Sequence, residues 1–210
     1  MATTTLRELN GFDGTPAVLA DSTLILVDYQ NTYVGGVMEL AGWRAALDSA
    51  AALLARARAV GAKVIHVVND GGPGTPYDIR AEIGRIHPSV APVDGEPVVV
   101  KQVPDAFRDT DLGAHVDAAG HRDVVVAGFM THMCVAFTAA GAFLRGNRVT
   151  VVADACATRA LPAPAPAPAG AGVGAGAGAG ELSAELLHHG ALATIADLYG
   201  VVVASGESLG

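Results

Sequence analysis

Six short runs of β-branched and aliphatic residues recur along this chain, and they constrain its fold more than any other feature. They are Thr23–Val27, Lys63–Val68, Pro97–Val100, Val124–Val126, Val149–Val152 and Val201–Ala204. Strands that read as continuous apolar runs, without a polar residue at every second position, are buried on both faces of a sheet. Between the runs lie segments with helix-compatible spacing: Trp43–Val60 before Gly61, Asp109–Gly120, Val135–Arg145 before Gly146, and Ser183–Leu198. Glycine just past a periodic segment is a helix stop, and an acidic or hydroxyl residue just before one is a start. Strands alternating with helices imply an α/β fold, a doubly wound and mainly parallel sheet with helices on both faces.

Two stretches depart from the alternation. Gly71–Val93 is rich in Gly, Pro and Asp and reads as a long irregular excursion, a length that in compact domains often carries function. Residues 161–180, LPAPAPAPAGAGVGAGAGAG, alternate Pro with Ala and then Gly with Ala or Val. Neither pattern builds a core, so a flexible surface insertion within one domain spanning 1–210 is expected.

The 210 residues suffice for one well-cored domain, and 51% hydrophobic with 16% charged residues excludes a disordered chain. A net charge of -8 argues against nucleic-acid or anionic-membrane binding, both of which attract basic surfaces. No apolar run approaches the roughly 18 residues needed to span a bilayer. The opening MATTTLRELNGFDG lacks the basic-then-apolar order of a secretory signal. The two cysteines, Cys134 and Cys156, form neither a CxxC pair nor a disulfide framework. A cytoplasmic, reduced protein is the expectation.

In open α/β sheets, ligands bind beyond the carboxyl ends of the strands. Asp28, Lys101 and Cys134 fall at or just past three such ends. An acid, a cation and a thiol there can act as base, electrostatic partner and nucleophile. Cys134 stands where a strand turns into a helix, and orphan N–H groups at a helix start are one of the ways to lower a thiol pKa. The competing reading of each residue is structural: a turn aspartate, a solvated strand end, a small buried thiol.

Three motifs carry a family resemblance. VDYQNTYV contains Asp28, Gln30 and Tyr33; VVVKQVPDAFRDTDL contains Lys101; VVVAGFMTHMCVAFTAAGAFLRGNRVTVVADACAT contains Cys134 and Asp154. In order and spacing they resemble the isochorismatase-like cysteine hydrolases, from about Thr23 to Thr158 and again in the last helix; the 161–180 segment departs from that pattern. The resemblance implies a Rossmann-like three-layer fold and an Asp28, Lys101, Cys134 triad. It also implies a cis Phe129–Met130 peptide, with the Met130 and Cys134 N–H groups forming an oxyanion hole.

With cysteine present, the resemblance points to hydrolysis of a carbon–nitrogen bond (amide, carbamoyl or ureido) in a small metabolite, through a thioester. Vinyl-ether hydrolysis of the isochorismatase type, a non-catalytic assembly or binding role, and thiol redox chemistry are the alternatives. Nicotinamidase-type relatives carry an Asp and several His as a metal site after the second strand. Here His66 and His87 stand far apart without an Asp-x-His or His-x-His pair, so no metal and no cofactor are expected. Tyr33, Trp43, Phe107 and Phe129 are the candidate substrate-binding residues, and Arg80, Arg85 or Arg108 could meet a substrate carboxylate if their loops fold inward. His132 is a competing base, Cys156 is expected to be inert, and the family suggests a homodimer or homotetramer.

Overall fold

In the computed structural model, which describes residues 3–163 and 180–210, the six apolar runs lie side by side in one sheet. The chain opens with a short helix, α1 (Leu6–Leu9), then forms β1 (Ser22–Val27), α2 (Trp43–Ala59), β2 (Lys63–Asn69) and β3 (Val98–Lys101). It continues through α3 (Leu112–Ala119), β4 (Asp123–Gly128), α4 (Ala136–Leu144) and β5 (Arg148–Val152). The two-residue strands β6 (Leu161–Pro162) and β7 (Glu181–Leu182) pair with each other antiparallel, and α5 (Ala184–Thr194) and β8 (Val201–Val203) complete the chain. The sheet order is β3-β2-β1-β4-β5-β8, and every pairing in it is parallel. The chain builds outward from β1 to β3, then returns to β4 on the other side of β1 and builds outward again. The switch between β1 and β4 opens the crevice in which such sheets bind ligands.

All six residues of β1 are buried, as a central strand covered on both faces requires. Successive side chains point to opposite faces. Leu24 and Leu26 join Val125, Ala127 and the α2 residues Leu47, Ala50, Leu53 and Leu54 on one side. Ile25 and Val27 join Val124, Val126, Leu112, Val116, Ala139 and Leu192 on the other, under α3, α4 and α5. Among the described residues, no helix is long and apolar enough to cross a membrane.

Several boundaries differ from the sequence expectation for local reasons. The helix expected from Asp109 begins at Leu112, because Asp109 takes a φ of 56° outside the helical region. The segment containing Cys134 is a π-helical turn, Thr131–Val135, that leads into α4, so the thiol precedes the regular helix. The last helix is α5 capped by the Ser183 hydroxyl, followed by a second π turn, Ile195–Tyr199. The 71–93 excursion folds back on the sheet's carboxyl end: Gln30 bridges to Ile86, and the Gln30 side-chain amide donates to the Gly84 and Asn69 carbonyls (2.7 and 3.0 Å). Residues 164–179, most of the expected insertion, lie outside the described residues.

Candidate active site

Asp28 is the first residue beyond β1, Lys101 the last of β3, and Cys134 lies six residues past the end of β4. Asp28 has a φ of 53°, an uncommon conformation that Asp tolerates better than most residues. Its N–H donates to the Val67 carbonyl (2.9 Å) and its own carbonyl accepts from Gln30 (2.7 Å), which fixes the turn. Lys101 starts two strands away, a separation of roughly 9–10 Å at ordinary sheet spacing, so only a long side chain can close the gap. It passes Asn69, whose Oδ1 accepts from Nζ at 3.4 Å.

The three functional groups meet. Lys101 Nζ lies 2.7 Å from Asp28 Oδ2, with both side chains completely buried, and donates to Cys134 Sγ at 3.2 Å. The ion pair is off the hydrogen-bonding direction, and neither Asp28 oxygen accepts a well-aligned hydrogen bond among the described residues. Burial raises the Asp28 carboxyl above the usual carboxylate range despite the ammonium beside it. Burial alone would lower the Lys101 ammonium, but Asp28 and Cys134 outweigh it and hold the amine charged.

Cys134 reverses the expectation from its position. Burial, reinforced by the Asp28 carboxylate, pushes its thiol up to about 12, with Lys101 acting in the opposite sense. A helix terminus contributes about 0.3–1 kcal/mol at exposed sites, too little to reverse desolvation of a nearly sealed thiol. The resting site therefore holds a thiol.

The Phe129–Met130 peptide is cis. Met133 and Val135 N–H both return to the Met130 carbonyl (3.0 and 3.2 Å), whereas the Cys134 N–H between them does not. Met130 N–H has no acceptor among the described residues. Two hydrogen bonds brace this turn from outside: Thr131 N–H to the Ala157 carbonyl (3.0 Å) and Thr131 Oγ1 with His188 Nδ1 of α5 (2.9 Å).

A cavity of ≈ 220 Å³ opens onto the thiol, lined by Tyr33, Asn69, Tyr77, Met130, Met133, Cys134 and the Gln102–Pro104 loop. A larger hollow, ≈ 340 Å³ beside Arg7 and Arg148, lies at the opposite ends of the strands and contains no such constellation. Tyr33 shares a hydrogen bond with Tyr77 (3.3 Å), and burial followed by the nearby Asp28 charge keeps its phenol protonated well above the ordinary range.

The other three aromatics expected at the pocket are placed elsewhere. Phe129 is sealed behind the wall, edge-to-face against Tyr29 and Tyr33 (centroids 4.7 and 5.9 Å). Trp43 starts α2, with Arg44 over its ring and Nε1 on Glu39. Phe107 packs beneath Arg145 on the α3–α4 face. His132 turns its Nδ1 to the Thr158 hydroxyl. Cys156 is buried and bonded to the Val152 carbonyl (3.3 Å), with burial pushing its thiol up to about 12.

Arg80 is held by Asp70 and Asp78 (2.7 and 2.6 Å), and Arg85 and Arg108 pair at the surface with Glu82 and Asp109. Asn69, Tyr77 and Gln102–Pro104 were not singled out by sequence. Asn69 and Gln102 adjoin strand ends and so carried a positional signal, whereas Tyr77 arrives only through the folding of the excursion. Among the described residues, no three His, Cys, Asp or Glu side chains converge on a point that could hold a metal ion.

Residues 22–165 match the isochorismatase domain. This chain belongs to the isochorismatase family. An isochorismatase crystal structure from Pseudomonas putida KT2440 superposes with a TM-score of 0.88 at 35% identity, covering 99% of this chain and all of that one. The family member is 30% identical to the secreted isochorismatase effector Isc1 of Verticillium dahliae over 96% of this chain and 97% of the effector. It is 42% identical to a streptothricin hydrolase of Streptomyces noursei over 67% of this chain but only 51% of that protein. It is 31% identical to a maleamate amidohydrolase of Pseudomonas putida over 71% of this chain and 75% of that enzyme.

Proposed function

We propose that this isochorismatase-family hydrolase cleaves a carbon–nitrogen bond of a small amide, carbamoyl or ureido compound, with Cys134 as nucleophile. The observation that carries the reading is the Lys101 ammonium set between Asp28 Oδ2 (2.7 Å) and Cys134 Sγ (3.2 Å) in a sealed site. In this mechanism the Asp28 carboxylate takes the thiol proton as Sγ attacks the carbonyl carbon. The N–H groups of Met130 and Cys134 receive the tetrahedral oxyanion, a role for which the unclaimed Met130 N–H is suited. Asp28 returns the proton to the departing amine, leaving a thioester. Water then adds with Asp28 as base, and the acid and the free thiol are released. Lys101 stabilises whichever of Asp28 and Cys134 carries the negative charge. Of the expected aromatics, Tyr33 is the one we retain as a substrate contact.

The test is ammonia release from a panel of small amides, carbamoyl acids and ureido acids, with Cys134→Ala as control. Release by the wild type that Cys134→Ala lacks supports the reading; equal release by both refutes it. The amidohydrolase relative favours this chemistry, while the end-to-end match to a secreted isochorismatase effector favours a second reading, vinyl-ether cleavage. Isochorismate included in the panel, with pyruvate as readout, separates the two.

We further propose a single domain and a cytoplasmic location, the latter supported by two free cysteines and opposed by the secreted relative. A homodimer or homotetramer, measured by light scattering, completes the proposal.

A further inference from the structure

Thr131 opens the turn that links Met130 to Cys134, so its placement governs where the N–H groups of those two residues point. All three of its polar groups are engaged. Its N–H donates to the Ala157 carbonyl (3.0 Å), its carbonyl accepts from Ala136 N–H, and its hydroxyl meets His188 Nδ1 (2.9 Å). The first partner lies on the segment after β5 and the second at the start of α4. Only the third comes from α5, 57 residues along the chain. Thr131 is wholly buried, and a buried hydroxyl stripped of its partner is costly. Its side chain must keep this bond or turn toward another, and the turn moves with it.

The helix holds His188 in place for the contact. His188 stands four residues before Leu192 and so on the same helix face, and Leu192 is buried in the core beneath α3, α4 and α5. The His189 ring packs edge-to-face on the His188 ring (centroids 5.6 Å) and limits its rotation. Burial, followed by the neighbouring His189, lowers the His188 imidazole, so the ring is uncharged at neutrality. An uncharged imidazole has one donor and one acceptor nitrogen, and a hydroxyl matches whichever role Nδ1 takes. His132, nearer the thiol in sequence, engages the Thr158 hydroxyl instead.

Oxyanion donors act when they stand about 2.7–3.1 Å from where the charge develops, and a displacement of about 1 Å can cost about a hundredfold in rate. We propose that His188 is a positioning residue: through the Thr131 hydroxyl it holds the Met130 and Cys134 N–H groups where a tetrahedral oxyanion forms. This rests on the hydrolase reading, and the experiment separates the two.

The probe is p-nitrophenyl acetate. Sγ attacks the ester carbonyl, the thiol proton passes to Asp28, and p-nitrophenolate departs to leave an acetyl thioester. His188→Phe keeps a ring and loses the nitrogen, and it should slow Cys134-dependent p-nitrophenol release about tenfold or more. Iodoacetamide alkylation of Cys134 in the same variant should stay within about twofold of wild type, because displacement of iodide places no charge on a carbonyl oxygen. His188→Asn loses the ring but carries a polar atom at the same remove from the backbone as Nδ1. It should restore release to within about threefold of wild type, an outcome that a packing role reverses. Thr131→Val removes the bond from its other end, and the double variant with His188→Phe should be no slower than the slower single one. Near-UV circular dichroism checks each fold, and Thr131→Val carries the comparison if His188→Phe does not fold. An asparagine variant no better than the phenylalanine one, additive losses, or equal slowing of alkylation and release would overturn the proposal. Release that Cys134→Ala retains would overturn the hydrolase reading and this one together. Cys134-dependent release untouched by His188→Phe would overturn this one alone.

Discussion

Lys101→Met isolates what the buried cation does, because methionine keeps much of the length and apolar volume and removes the charge. In the native site the ammonium lies 2.7 Å from Asp28 Oδ2 with both side chains fully enclosed. Removing one member of such a pair leaves the other buried and uncompensated, at a cost of roughly 3–5 kcal/mol. For a chain of this size that corresponds to a drop in Tm of roughly 2–4 °C per kcal/mol. The penalty should depend on pH with a definite sign. The Asp28 carboxyl already sits above its ordinary value because it is buried, and losing Lys101 raises it further. A carboxyl raised by folding contributes stability below its unfolded pKa and loses it as pH rises through the folded pKa. The variant should therefore be most destabilised near about pH 8 and recover part of the difference near about pH 5.5, where Asp28 can accept a proton. Urea unfolding of both proteins at the two pH values measures this, and contributions from other carboxylates common to both proteins cancel in the difference. Ammonia release should fall by at least about a hundredfold, the scale of removing one preorganised electrostatic contact. A stability difference independent of pH, or equal stability at the higher pH, would refute the reasoning.

Iodoacetamide should label Cys134 before Cys156, because the first lines the cavity and the second is sealed. With the Cys134 thiol pushed up to about 12, labelling should be slow at neutrality. It should quicken about tenfold per pH unit toward pH 9, read by peptide mass spectrometry; a fast, pH-independent rate would contradict a resting thiol. Gly128→Ala should lose more than about 3 kcal/mol or fail to accumulate as soluble protein. At a φ of 156° a Cβ there would run into the Val27 carbonyl, and a native-like melting curve would count against this. Burial opposes the charge of Glu96, but Arg58, His66 and the Val93 N–H outweigh it and hold the carboxyl at about 2. Its stabilisation is present above the unfolded value of 4.5 and is lost as pH falls toward 2. Glu96→Gln should thus cost about 1–2 kcal/mol near pH 7, discounted for solvent screening, and less near pH 3; an equal cost at both would exclude the ion pair as its source.

The strands were legible because burial on both faces leaves a one-dimensional trace, a run such as Thr23–Val27 with no polar alternation. The order of the sheet left none, yet three glycine-stopped helical segments between the strands allow few ways to wind them in parallel. Asp28 and Lys101 could be singled out because a strand end is a place in the sequence as well as in the fold. Pocket walls are different in kind. Trp43 and Phe107 sit near the motifs along the chain, but a helix start and a loop carry them to other faces, while Tyr77 reaches the site from the middle of an irregular excursion.

The cysteine brings local and collective electrostatics into conflict, and the collective outcome governs. Reasoning from a helix start treats Cys134 as an isolated thiol whose anion a dipole should favour. In the folded site the thiol shares an enclosed space with one carboxylate and one ammonium, and their charges already cancel. Ionising the thiol to solvent would leave a net negative charge in a buried site, which is why its pKa rises. Passing the proton to Asp28 leaves the total unchanged: the Lys101–Asp28 ion pair becomes a Lys101–Cys134 ion pair, with Nζ already 2.7 Å from one anion position and 3.2 Å from the other. A high thiol pKa and a competent nucleophile are therefore compatible, provided the base lies inside the same enclosure. In the mechanism we propose, that condition accounts for the burial of the carboxyl, for its raised pKa and for a lysine that crosses the end of β2 to stand between the two.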